Sequence, residues 1–120
     1  YVEASAYPTE DKASCPGASP QRLTVGDRAT VCTKIDRLII RETASSTASE
    51  YFRIYPGTVV KIIGGPKCSG DSSWWLVEVS GGTQVFLTQQ GSDGYLNQTS
   101  QGWAREGSDS EDPYFLCPIN

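Results

Sequence analysis

The stretch Tyr55-Pro56-Gly57-Thr58-Val59-Val60-Lys61-Ile62-Ile63-Gly64-Gly65-Pro66 decides the fold class. From Thr58 to Ile63 every residue except Lys61 is β-branched, and such side chains suit a pleated, half-buried strand. Pro56-Gly57 sets a type II turn before the strand, and Gly64-Gly65-Pro66 reads as its end. Downstream, Ser73–Val79 makes a second strand, with Trp75, Val77 and Val79 facing the core and Trp74 and Leu76 on the other face, half exposed. Thr83–Leu87, Gly102–Arg105 and Tyr114–Cys117 supply further short strands. Upstream, Leu23–Cys32 alternates apolar and polar residues around a turn or bulge at Gly26-Asp27, and Arg37–Arg41 and Tyr51–Ile54 follow. Glu42–Glu50 is a Ser/Thr/Ala loop, and Gly91–Ser100 is turn-rich. No helix of convincing length, internal repeat or heptad interrupts this pattern, which predicts an all-β barrel or sandwich.

Composition narrows the function. The 120 residues allow one domain with a modest core, since 38% are hydrophobic. The formal charge of −4, without a Lys/Arg run, argues against nucleic acid. There is no histidine, which removes Ser-His-Asp and Cys-His nucleophiles, His-ligated zinc and the usual general base near neutral pH. A non-enzymatic role is therefore expected, with no cofactor and no metal. No apolar run approaches the roughly 20 residues of a membrane-spanning helix. The chain opens at Tyr1 and lacks methionine, which fits a start left by leader removal or by cutting.

Cys15, Cys32, Cys68 and Cys117 are far apart, with no C-x-x-C pair, which disfavours zinc clusters and thioredoxin-type motifs. Two disulfides in an oxidising, extracellular setting are the better reading; four reduced, buried thiols in a cytosolic protein are the alternative. Four cysteines allow three pairings.

Taken in order, Leu23–Val31, Leu38-Ile39-Ile40-Arg41, Tyr55–Val60, Gly65-Pro66-Lys67-Cys68, Trp74-Trp75-Leu76-Val77, Gly102–Gly107 and Tyr114–Ile119 resemble bacterial SH3-like domains of the extracellular, disulfide-containing type. The resemblance runs from about Cys15 to Ile119. It implies a small SH3-like barrel over residues 23–120, preceded by an extended N-terminal segment, residues 1–22. Ile39 stands where the family often has Asn, and Glu42–Glu50 is Ser/Thr-rich, which alters any groove there. Ser80–Gln101 is longer than the family's turn and predicts an extra hairpin around Phe86 and Tyr95. First and last strands are neighbours in such a barrel. The resemblance thus implies Cys32–Cys117, with Cys15–Cys68 pinning the N-terminal segment.

Eukaryotic SH3 domains line their proline-peptide groove with a tryptophan from a similar pair and with tyrosines. By that resemblance Trp74, Tyr51, Tyr55 and Tyr95 form an aromatic platform for peptide or sugar. The alternative is that the extra hairpin covers Trp74. Asn97-Gln98-Thr99 is a glycosylation sequon. Asp109-Ser110-Glu111-Asp112 does not match a calcium loop and reads as solvated. Nothing places Glu106 and Asp112 across a cleft as paired carboxylates. At the N-terminus, Val2, Ala4 and Ala6 alternate with Tyr1, Glu3, Ser5 and Tyr7, an orphan strand that could add to a neighbour's sheet. Three roles follow: an extracellular module binding peptide or cell-wall glycan, a self-assembling filament or surface-layer subunit, and an accessory domain of a larger cell-wall hydrolase.

Overall fold

The computed structural model describes Cys15 and residues 21–70, 72–107 and 114–119. Among these, nine strands form: β1 Arg28–Val31, β2 Leu38–Arg41, β3 Glu50–Ile54, β4 Val59–Ser69, β5 Ser72–Val79, β6 Gln84–Leu87, β7 Ser92–Tyr95, β8 Ser100–Arg105 and β9 Leu116–Pro118. They build one antiparallel sheet in the order β9-β1-β4-β5-β8-β2-β3-β6-β7, curled into a half-barrel. The described residues contain no helix, and so none long and apolar enough to cross a membrane.

Alternation places the core. Val60 and Ile62 of β4 face inward, as do Trp75, Val77 and Val79 of β5, and all are nearly fully buried. Ala29 and Val31 of β1, Leu38 and Ile40 of β2, Phe52 and Ile54 of β3, Val85 of β6 and Ala104 of β8 complete the same cluster with Leu23 and Leu116. Burial of this single inner face stabilises the fold by about 25 cal/mol per Å² of apolar surface removed from water.

Three expectations need correction. Only Arg28–Val31 of the Leu23–Cys32 stretch is ladder-paired strand. Upstream, Gly26 donates to Ile62 O (2.8 Å) and Asp27 O accepts from Ile62 (2.8 Å), so Gly26-Asp27 pairs irregularly. The strand that opens at Val59 does not stop at Gly64-Gly65-Pro66 but runs on to Ser69. Register shifts between Ile62 and Gly64 and between Gly64 and Lys67 absorb the irregular residues. Glycine is needed there: Gly65 has φ +103°, and a Cβ on it would stand 2.9 Å from Trp74 O. Continuing the strand puts Cys68 opposite Ser73, at the end of the sheet where Cys15 is held.

The third correction concerns Trp74, which is not half exposed but 1% exposed. It lies outside the main apolar cluster. Its indole N–H donates to Ser69 O at 3.0 Å, and the Arg105 guanidinium sits 5.6 Å from its ring centre. The extra hairpin exists as β6–β7, with Phe86 opposite Asp93 and Gln84 opposite Tyr95. It pairs with β3 at the far end of the sheet and contributes no residue to the cleft at Trp74.

Candidate functional sites

Where β8 ends, the backbone of Glu106 closes the sheet. Its N–H donates to Ser73 O (2.8 Å), and its carbonyl accepts from Phe115 (2.7 Å) and Leu116 (3.1 Å). The side chain is buried, 2% exposed, and its carboxylate accepts from the Arg22 backbone N–H (2.6 Å) and the Trp75 indole (2.8 Å). Burial raises its pKa above the ordinary value, while those two donors and the Arg22 charge pull the other way. Glu106 is thus engaged in holding three segments together. Its imagined partner Asp112, like Asp109 and Glu111, lies outside the described residues.

Both cysteine pairs are at this end. Cys15 and Cys68 are bridged with Cα atoms 5.2 Å apart, and Cys32 and Cys117 at 5.8 Å. These are the pairs the resemblance implies. Pairs of this kind are more typical of extracellular proteins. The Arg22 guanidinium lies 3.5 Å from the Tyr114 ring centre and donates to Cys117 Sγ at 3.3 Å.

The four aromatic residues read as one platform are dispersed. Trp74 lines a cleft of about 240 Å³ together with Phe115, Arg37, Arg41, Arg105 and Asp36. Tyr55 lines a different, shallow groove beside Pro56 and donates its hydroxyl to the Asp93 carboxylate. Tyr95, 65% exposed, stands on β7 near a third depression that includes Asn97. Tyr51 is half exposed beside the register shift between β2 and β3 and lines none of these. Tyr55 and Tyr95 therefore share the β6–β7 end, and Trp74 belongs elsewhere.

Asn97, Gln98 and Thr99 are all exposed, with the Thr99 hydroxyl accepting from Gly81 N–H (3.2 Å). Tyr1, Val2, Ala4 and Ala6 lie outside the described residues. Among the described residues no group of three or more His, Cys, Asp or Glu gathers to hold a metal ion.

Sequence reasoning missed the sheet edge at β7. The opposite edge strand, β9, is covered at Leu116 by Glu106 and ends in Pro118. Just past β7, Leu96 turns both its C=O and N–H towards the hairpin, bonding Gly82 (2.8 Å) and Thr83 (3.0 Å). By alternation, Asp93 and Tyr95 aim their backbone N–H and C=O outward. No strand among the described residues pairs with that side. No protein-family model, curated protein or solved structure matches this chain.

Proposed function

We propose that the chain is a non-catalytic, extracellular bacterial SH3-like module with a structural role at the cell surface: a subunit that joins copies of itself by strand addition. The SH3-like part is supported by the strand order, in which the last strand lies beside the first and a long bent strand (β4) bridges β1 and β5. The extracellular part is supported by the two cysteine pairs.

The open β7 edge carries the structural reading. Natural proteins protect exposed edges with very short strands, charged side chains, Pro, bulges or covering loops, and β7, though only four residues long, has few of these. Ser92-Asp93-Gly94-Tyr95 has no Lys, no Pro and no register shift, and its one carboxylate is turned to Tyr55. The strand to fill it is Tyr1–Tyr7 of another copy, where Val2, Ala4 and Ala6 alternate with Tyr1, Glu3, Ser5 and Tyr7, a pattern that suits main-chain pairing with side-chain register. Cys15 ties the segment preceding it to β4, so an added strand would be covalently linked to its own body. A head-to-tail exchange of this kind propagates into a filament when it does not close on itself.

The test is sizing and negative-stain imaging of the full chain, of a variant lacking residues 1–14, and of Tyr95→Pro. The last removes an outward N–H while leaving the β6 side of β7 intact. Assembly by the full chain and folded monomers from both variants are the expected result. A monomeric full chain at high concentration, or assembly that survives the deletion, overturns the proposal.

A further inference from the structure

Going beyond strand addition, we infer that the cleft over Trp74 binds a peptide segment carrying a carboxylate. The chain has 14 acidic and 10 basic residues, yet three arginines, Arg37, Arg41 and Arg105, line this one cleft. None of them makes an ion pair among the described residues, where the carboxylate salt bridge is Arg53–Glu50. Arg105 spends Nε and one Nη on the neutral Ser72 hydroxyl (3.1 and 2.6 Å). Arg41 gives one Nη to Ala48 O (2.8 Å), and Arg37 is stacked 3.9 Å from the Phe86 ring centre. A guanidinium has five N–H donors in a fixed fork, so each keeps donors for a carboxylate.

The floor decides the kind of carboxylate. Trp74, Leu38 and Phe115 give an apolar base, where an ion pair is stronger than in open water. Asp36 offers an acceptor for a backbone N–H at the rim, and Phe115, only half-buried, leaves apolar surface for a neighbouring side chain. An acidic side chain next to an apolar one, on a backbone with N–H groups, matches all three features. A sugar stacks on an open ring face, and Trp74 at 1% exposure offers almost none. At about 240 Å³ the cleft is also smaller than the ~300–1,000 Å³ typical of cofactor sites.

Isothermal titration of the full chain with N-acetyl-Leu-Glu-amide against N-acetyl-Leu-Gln-amide tests this directly. The glutamate peptide should bind in a saturable, salt-weakened manner, and the glutamine peptide roughly tenfold more weakly. Arg105→Gln and Arg37→Gln should each weaken the glutamate peptide by a similar factor; Arg37 stands in a loop, so its variant folds even if Arg105→Gln does not. Arg28→Gln, exposed on β1, should leave binding unchanged. Tyr95→Pro should also retain it, which separates this site from the assembly edge. No binding, equal binding of the two peptides, or preference for glucuronate over both overturns the inference.

Discussion

The two ends of the sheet are built on opposite plans. At the β9–β1 end the strands are three and four residues long, and covalent bonds and a buried carboxylate supply the fastening. Cys32–Cys117 ties β1 to β9, Cys15–Cys68 ties the N-terminal segment to β4, and Glu106 gathers Arg22, Trp75 and the start of β9. At the β3–β6–β7 end no disulfide is present. A hairpin hangs from β3 by the pairs Arg53–Phe86 and Ile54–Val85, helped by Glu50, which accepts from Arg53 and from Thr88 Oγ1 (2.6 Å). β6 and β7 are as short, at four residues each, so the two ends differ in their crosslinks and not in strand length. An end left uncrosslinked keeps its outer backbone groups for a partner.

Breaking the closed end should cost the most. Replacing Cys32 and Cys117 together by serine opens an 85-residue loop, and chain entropy puts the loss on the order of 4 kcal/mol. Guanidinium unfolding of the variant beside the parent measures it. A loss below about 1 kcal/mol would mean that the ladder and Glu106 hold this end without the bridge.

The plan of the sheet was partly legible in the sequence, and the reason is period. Thr58–Ile63 is β-branched save Lys61, and in Trp75-Leu76-Val77-Glu78-Val79 the two-residue period assigns Trp75, Val77 and Val79 to the buried face. The β6–β7 hairpin was visible as excess length between Ser80 and Gln101. The passage through Gly64-Gly65-Pro66 was hidden because bulges carry the same residues as turns. Trp74 was misplaced because its cover comes from Arg105, Phe115 and the segment around Leu38, all remote in the chain. Glu106 gave one signal only: a buried tryptophan such as Trp75 needs an acceptor for its indole N–H. The backbone N–H of Arg22, 84 residues away, could not be paired with it from the sequence.

The two glutamates sharpen the contrast through pH. Glu106 has its pKa raised above 4.5 by burial, so the folded state prefers its neutral form. Its contribution is fully present below about 4.5 and is lost as pH rises through the raised value. Glu50 is the reverse. The Arg53 hydrogen bond lowers its pKa, with Thr88 and the charges of Arg53 and Arg41 adding to this against desolvation. Its contribution is present above about 4.5 and is lost as pH falls through the lowered value. Unfolding curves at a series of pH values should therefore flatten on the alkaline side of 4.5 in Glu106→Gln and on the acid side in Glu50→Gln. If Glu106→Gln leaves the alkaline side unchanged, burial of that carboxylate is not what shapes it.

The smallest effect is expected at the open end. Tyr55→Phe removes the hydroxyl that binds Asp93 and should cost under about 1 kcal/mol, since the bond is exposed to solvent. Its value lies in where the change is felt. Asp93 sits between the outward-facing backbone groups of β7, and Tyr55 leads from β3 into the turn before β4, so their bond holds the edge strand against the body. Amide exchange should speed up at Gly94 and Leu96, whose N–H groups face β6, while Val31 and Cys32 at the closed end stay protected. Equal acceleration at both ends would show that the sheet opens as one unit, and the division into a fastened end and an accepting end would fall with it.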